Sequence, residues 1–329
     1  MSILAGLPKP FFVLAPMDDV TDTVFRQIVA GCTPPDLYFT EFVNVDGLQS
    51  PGRQNLLKKV RFAPGEQSLI IQLWGKTPAN FYKTAQEVAD GTFARELGLP
   101  ESAKFVGIDL NMGCPDKNVV KNGTCSALIN NRGLAADSIK ATQEGAAGRL
   151  PVSVKTRLGF SRVDLTWHEF LLQQNLSMLS IHGRTRKEMS KVPAHWELIG
   201  EVRQLRDRVA PQTLIVGNGD VGSRAQGEQL AAQYGLDGIM IGRGIFQDPF
   251  VFARESPWPH AVPAERIALF AKHVKLFAET WQHGERPVAP LNKFCKLYVN
   301  GFDGAKELRE RLMAATTTDE LLTLLGMAR

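Results

Sequence analysis

What most constrains this chain is a rhythm of eight short apolar runs, each stopping in glycine or a polar side chain and each followed by a stretch with helical character. The runs are Phe11 to Ala15, Leu37 to Phe42, Ser68 to Trp74, Phe105 to Leu110, Pro151 to Thr156, Ser177 to His182, Thr213 to Val216 and Asp237 to Ile241. Short, continuous apolar runs bounded by turn residues read as buried strands. Between them the pattern predicts helices over Thr23 to Ala30 with Thr21 or Asp22 as cap, from Pro78 through Asp90, and over 134–147. Four more are expected at Leu165 to Gln174, Trp196 to Val209, Ser223 to Tyr234 and, shorter, near Ile245 to Ala253. Eight such units in roughly 250 residues match an α/β chain folded as a (β/α)8 TIM barrel. A doubly wound open sheet is the competing arrangement.

The ends of these runs change from aliphatic to polar at Gln72, Asn111, Lys155, His182, Asn218 and then Gly242 with Arg243. In a barrel they converge on the face where active sites are built. GNGD (Gly217 to Asp220) and IGRG (Ile241 to Gly244) follow runs seven and eight, where glycine lets backbone N–H groups approach a ligand. The short helix after run eight is expected to add a positive dipole end, and Arg243 a balancing charge, for a phosphate. The fourth run, FVGIDLNMGCP, is ended by Asn111, Gly113 and Pro115, which sets Asn111 and Cys114 where the strand stops. From the residues alone, Cys114 is either a buried structural thiol or a reactive group at the mouth.

Composition excludes several classes. Of 329 residues, 44% are hydrophobic and 22% charged, as in ordinary soluble globular proteins. The four cysteines, Cys32, Cys114, Cys125 and Cys295, show no CxxC spacing, so structural zinc and a disulfide framework are not expected. Pro8, Pro10 and Pro16 break the first apolar stretch too early for a signal peptide, and no run reaches membrane-spanning length, so a reducing cytoplasm is the expected home. The net charge of +4 permits a polyanionic partner. Two basic clusters, Arg53, Lys58, Lys59 and Arg61 on a polar connection after run two, and Arg184, Arg186, Lys187 and Lys191 after run six, are candidates for phosphate contact. From Glu255 a proline-rich linker leads into a small all-helical region with candidate helices at 264–282, 288–300, 304–315 and 318–326. Its ten Lys and Arg against nine Asp and Glu leave it nearly neutral, with Lys293 and Lys296 as one candidate face.

With these residues in view, the chain resembles the tRNA-dihydrouridine synthases over nearly all of 11–254. The motifs LAPMDDVTD, TEFV, IIQLWG, IDLNMGCP, SVKTRLG, HGRTR, VGNGD and MIGRG occur in that order. The resemblance implies an FMN-binding catalytic barrel over 1–254 and a tRNA-binding helical domain over 255–329. It implies reduction of a tRNA uridine to 5,6-dihydrouridine with NADPH as reductant. Ala15, Pro16 and Met17 would sit by the flavin ring, Gln72 at its pyrimidine edge, and Lys155 near N1 and the C2 carbonyl. His182, Asn218, Gly219, Asp220, Gly242 and Arg243 would complete the FMN site. Cys114 would be the general acid delivering a proton to C5 of uracil, with Asn111, Arg157 and Arg184 holding the substrate.

Three positions depart from the family pattern. Cys125 stands eleven residues after Cys114 where a small residue is common, as a packing residue or an oxidation partner. Ser190 replaces an aromatic and Val192 a glycine in the loop expected to position the base. Two further readings remain open at this point: another FMN barrel acting on a free pyrimidine or enone, and an RNA-binding protein that kept the scaffold without the chemistry. The chain is expected to be a monomer, and the target uridine is not readable.

Overall fold

The computed structural model describes residues 3–326, so the first two and last three residues of the expected regions lie outside it. Eight parallel strands close on themselves: β1 (Phe11–Leu14), β2 (Leu37–Asn44), β3 (Leu69–Trp74), β4 (Gly107–Met112), β5 (Val152–Arg157), β6 (Met178–His182), β7 (Leu214–Asn218) and β8 (Gly238–Ile241). β8 returns to pair with β1, Phe11 opposite Gly238 and Leu14 opposite Ile241. The barrel prediction is borne out and the open sheet is not. Gly238 is required at this seam, because a Cβ there would stand 2.6 Å from the Phe11 ring that fills the barrel floor.

Alternate residues of each strand face the barrel axis, and the interior divides into two halves. On one side Phe11, Val13, Leu37, Phe39 and Met240 join Leu4 of an N-terminal 3-10 turn (Ile3–Gly6) in one apolar cluster. On the other, Gln72 of β3, Asp109 and Asn111 of β4 and Ser153 of β5 are all buried. Three of the outer helices are started by side-chain caps, of which Asp22 was expected. Asp22 accepts the Phe25 N–H at 2.9 Å to cap Thr23–Cys32, Asn131 caps Arg132–Ala146, and Ser223 caps Arg224–Tyr234, each cap contributing about 1 kcal/mol.

Three local expectations within the barrel need correction. The connection after β2 is not a loop: it holds helices Val45–Leu48 and Arg53–Val60, whose Leu57 and Val60 are buried although basic residues surround them in sequence. β4 runs on through Met112, because the Asn111 amide caps the turn beyond it rather than ending the strand. The helix expected over Ile245 to Ala253 is a four-residue 3-10 turn, Arg243–Phe246, stopped well short of Pro249. So short a turn has little dipole, which leaves anion binding there to backbone N–H groups and Arg243.

After the barrel the chain is helical, with Pro263–Thr280, Ala305–Ala314 and Thr318–Gly326 close to expectation. The segment expected as one helix over 288–300 is instead a 3-10 helix, Ala289–Phe294, followed by the short α-helix Cys295–Tyr298. These elements pack on the outside of the barrel near β1 and β2. Phe294 lies 4.6 Å from the Phe25 ring and 5.6 Å from that of Phe246. The Trp281 Nε1–H donates to Asp22 (3.2 Å), and Arg286 forms an ion pair with the fully buried Glu41. No helix among the described residues is long and apolar enough to cross a membrane.

Candidate active site

A cavity of about 750 Å³ opens at the carboxyl ends of the strands. Ala15, Pro16 and Met17 after β1 form one wall, and Lys155 and His182 reach it from β5 and β6. The turns after β7 and β8 contribute Asn218, Gly219 and Asp220, and Gly242 with Arg243. All eleven of the residues expected around the cofactor except Gln72 therefore line one space. Sequence reading missed Gln226 and Gln247, which also line it and carried no motif. A cleft of about 680 Å³ at the opposite end, by Phe105 and Pro151, contains none of the expected residues. Gly219 has φ +137°, and at Gly244 a Cβ would stand 2.2 Å from the Val221 carbonyl oxygen, so both turns need glycine to lie where they do.

Gln72 is sealed in the barrel beside this cavity. Its Nε2 donates to Asp109 Oδ2 (2.7 Å), and its Oε1 accepts from Asn111 Nδ2 (3.0 Å). The Asn111 Oδ1 then accepts the N–H groups of Gly113 (3.1 Å) and Cys114 (2.9 Å). Asp109 and Ser153, which bond at 2.6 Å, escaped the sequence reading. The signal was their spacing, two residues before Asn111 and Lys155 on the same strand face.

Cys114 is half-buried, and its thiol is brought down to about 7, first by a hydrogen bond with Cys125 and further by the Asp116 N–H, against the opposing effect of burial. Cys125 is fully buried at φ +52°, and burial pushes its thiol well above the usual range. Both cysteines are free thiols. Burial and the Arg157 charge bring Lys155 down to about 8, with Asp109 and Cys114 acting in the opposite sense. Burial lowers Arg157 to about 10; its guanidinium donates to the carbonyls of Gly113 (2.7 Å), Thr185 (3.2 Å) and Met189 (3.1 Å). It thus ties the Cys114 turn to the loop after β6.

His182 is held neutral, first by burial and then by Arg157, Lys155, Arg184 and Arg243 around it. An Arg184 N–H lies 3.2 Å from its Nε2; donation there assigns the ring proton to Nδ1. Arg184 also pairs with Asp220 and donates to the Val192 carbonyl (2.5 Å). Asp220 accepts the Ala194 N–H (3.0 Å) and an Arg243 N–H (3.4 Å) as well, so it orients cations around the cavity. The other basic residues are largely spent internally. Arg53 pairs with Glu87 (2.9 Å) and Glu96 (3.0 Å), and Lys59 pairs with Asp18 and Glu41. Lys58 donates to the Glu285 carbonyl (3.0 Å), Arg61 lies 5.3 Å from the Trp281 ring, and Arg186 5.3 Å from that of Phe160. Lys187 and Lys191 stay exposed by the mouth, the remainder of the expected phosphate-facing clusters.

Residues 13–328 match the family model described as dihydrouridine synthase (Dus). The chain is 48% identical over 323 residues to "Probable tRNA-dihydrouridine synthase 2" of Bacillus subtilis (strain 168), covering 97% of this chain and 94% of that one. It is 45% identical over 322 residues to "Probable tRNA-dihydrouridine synthase" of Staphylococcus aureus (strain COL), covering 97% and 93%. Among solved structures it is similar in fold to histamine dehydrogenase from Rhizobium sp. 4-9, at a TM-score of 0.50 and 14% identity, over 80% of this chain and about half (48%) of that one. The strand-end motifs, the closed barrel and matches spanning almost its entire length together make this chain a member of the dihydrouridine synthase family.

Proposed function

We propose that this protein reduces a uridine in tRNA to 5,6-dihydrouridine, with FMN in the strand-end cavity and NADPH as the source of electrons. The observation that carries the reading is that Cys114, a thiol poised near neutrality, follows the strand whose Asn111 pairs in register with Lys155 and acts electrostatically on that lysine, which lines the cation-rich, glycine-walled cavity. The residues present fit FMN. Burial first, and then Arg157, Lys155, Arg184 and Arg243, keep His182 uncharged, and those four cations give a positive field suited to a phosphate-bearing, anionic ring system. At Gly242 a Cβ would project to 3.5 Å from Ala15 and 3.8 Å from the Met17 sulfur, into the space a flat ring would take. When bound, FMN supplies the hydride for C6 of the uracil after reduction by NADPH.

The chain's own residues do the rest. Arg243 and the backbone of the Gly219 and Gly242 turns hold the phosphate and ribityl groups, with Asn218, Asp220 and His182 shaping that end. Lys155 places positive charge beside the ring, and Ala15, Pro16 and Met17 supply its apolar wall. Gln72, whose amide is engaged by Asp109 and Asn111, supports this end of the site from within the barrel instead of touching the ring edge. Cys114 donates the proton to C5, a task suited to a thiol whose ordinary acidity is close enough to neutral for positioned transfer. Asn111 orients the base, and Arg157 and Arg184 stiffen the walls it enters between. The uracil leaves its stack to reach this site, at a cost of a few kcal/mol that contacts elsewhere on the tRNA offset. The helical region 255–329 and the exposed Lys187 and Lys191 supply such contacts, and the chain works as a cytoplasmic monomer.

The test has two arms. Purified protein reconstituted with FMN should show a bound-flavin absorbance spectrum, and failure to retain FMN would sink the reading. A deletion strain should lack dihydrouridine at one tRNA position, restored by the wild-type gene and not by Cys114→Ala; restoration by that variant would remove Cys114 from its role.

A further inference from the structure

We propose that Asp109, sealed inside the barrel, is a positioning residue that fixes the direction of an amide relay running through Gln72 and Asn111 to the backbone of Cys114. It rests on the reading of Asn111 and Cys114 as site groups, although Asp109 itself touches neither cofactor nor substrate.

Asp109 is 0% exposed and lies in register between Gln72 on β3 and Ser153 on β5. Ionised, a carboxylate can only accept hydrogen bonds. Oδ1 takes the Ser153 hydroxyl (2.6 Å) and Oδ2 takes Gln72 Nε2 (2.7 Å), so the Gln72 amide must turn its NH₂ toward Asp109 and its carbonyl away. That carbonyl can accept only the NH₂ of Asn111 (3.0 Å), which turns the Asn111 carbonyl toward the turn. There it accepts two backbone N–H groups, those of Gly113 and Cys114. An amide's two ends are nearly identical in shape, so packing alone leaves each free to flip. Polarity comes from anchors that cannot reverse, and the relay has one at each end: the carboxylate below and the peptide N–H groups above. Reversing any link opposes oxygen to oxygen or N–H to N–H in a buried setting, which is costly enough to reverse the whole chain or break it. The same carboxylate acts on Lys155, two residues beyond Ser153 on β5.

The test reads the Cys114 thiol in the FMN-free protein, so it succeeds or fails independently of whether the chain reduces tRNA. The midpoint of the pH profile for Cys114 alkylation by iodoacetamide is compared among wild type, Asp109→Asn, Gln72→Glu/Asp109→Asn and Ser153→Ala. Asp109→Asn replaces a group that can only accept with an amide able to set either end against Gln72, so the relay loses its fixed direction, the Cys114 turn loosens from Asn111 and from the Cys125 and Asp116 donors, and the midpoint moves up by about half a pH unit or more. The double variant passes the carboxylate one step along: the amide introduced at position 109 donates to the carboxylate introduced at position 72, which accepts in turn from Asn111, and the wild-type midpoint returns. Ser153→Ala removes a bond that carries no direction to Gln72 and leaves the midpoint in place. An unchanged midpoint in Asp109→Asn, or a folded double variant that keeps the shifted midpoint, overturns the proposal, because a purely structural carboxylate would not be rescued by relocating it. Should Asp109→Asn fail to fold, the double variant decides alone: a wild-type midpoint supports the relay, and a shifted midpoint or failure to fold refutes it.

Discussion

Replacing Arg286 by Met should loosen the helical region from the barrel, and the size of the effect follows from what Arg286 leaves behind. Its guanidinium is 4% exposed, pairs with the fully buried Glu41, lies 3.9 Å from Asp22 and 5.0 Å from the Trp281 ring, and donates to the Lys58 carbonyl (3.2 Å). Burial already raises both Glu41 and Asp22, and Arg286 is the largest influence opposing it in each. Removing one partner of a buried pair costs about 3–5 kcal/mol. Glu41 would retain Lys59 at 3.5 Å and the Asp19 N–H at 2.8 Å, which places the cost near the lower end, about 3 kcal/mol. For a chain of this size that lowers Tm by roughly 4–5 °C. The pH dependence has a definite sign. Without Arg286 the folded-state pKa of each carboxylate rises further above its unfolded value, so ionising it costs stability as pH climbs through the interval between the two. The deficit should therefore be larger at pH 8 than at pH 5, where protonation relieves it. Calorimetric melts at both pH values, with Glu41→Gln/Arg286→Met alongside, give the answer. A variant within about 2 °C of wild type at pH 8, or a deficit indifferent to pH and to the second substitution, would refute the argument.

Three more outcomes are expected. Cys125→Ala removes the main influence lowering Cys114, so thiolate at pH 7 should fall from about half to about one part in a hundred. Because a more basic thiolate is also more nucleophilic, alkylation at pH 7 slows about sixfold; an unchanged rate would mean that Cys125 does not set this pKa. Burial raises Asp109 to about 6 from an ordinary 3.8, so its ionisation costs the folded state stability as pH rises through that window. Relative to wild type, Asp109→Asn should therefore gain on the order of 2–3 kcal/mol between pH 4 and pH 8 in urea titrations, and a pH-independent difference would contradict this. Arg243→Ser should leave the melting temperature of FMN-free protein within about 1 °C, since its link to Asp220 is exposed, yet weaken FMN about tenfold by fluorescence titration. Equal affinity would remove Arg243 from the phosphate end.

Much of this architecture was legible because a buried parallel strand has a simple signature. Runs such as Pro151 to Thr156 and Ser177 to His182 end within a residue of the strands they predict, since their aliphatic residues alternate with the polar ones until the strand stops. The cavity-lining residues were legible for a related reason: barrel strands all point their carboxyl ends at one mouth. What stayed hidden depends on distant partners. The helix Arg53–Val60 looked like a polar loop because its buried Leu57 and Val60 are outnumbered by cations, and those cations looked free because Glu41, Glu87, Glu96 and Glu285 come from elsewhere in the chain. Arg157 likewise showed its charge but not the three carbonyls that occupy it. Asp109 was missed because it sits inside an apolar run, and only closure of the barrel sets it between Gln72 and Ser153.

The two-sided interior has a consequence for how such a chain can diverge. Where Phe11, Val13, Leu37, Phe39 and Met240 meet, a substitution is judged by volume, and a compensating change at any neighbour can restore the fit. Across the axis, Gln72, Asp109, Asn111 and Ser153 are judged by donor and acceptor, and one change leaves partners that no change of size repairs. A saturation library should therefore show tolerance that is broad and nearly independent by position on the first side. On the second it should be narrow, with viable variants arising as linked pairs. One barrel thus carries two mutational regimes, separated by no more than its own diameter.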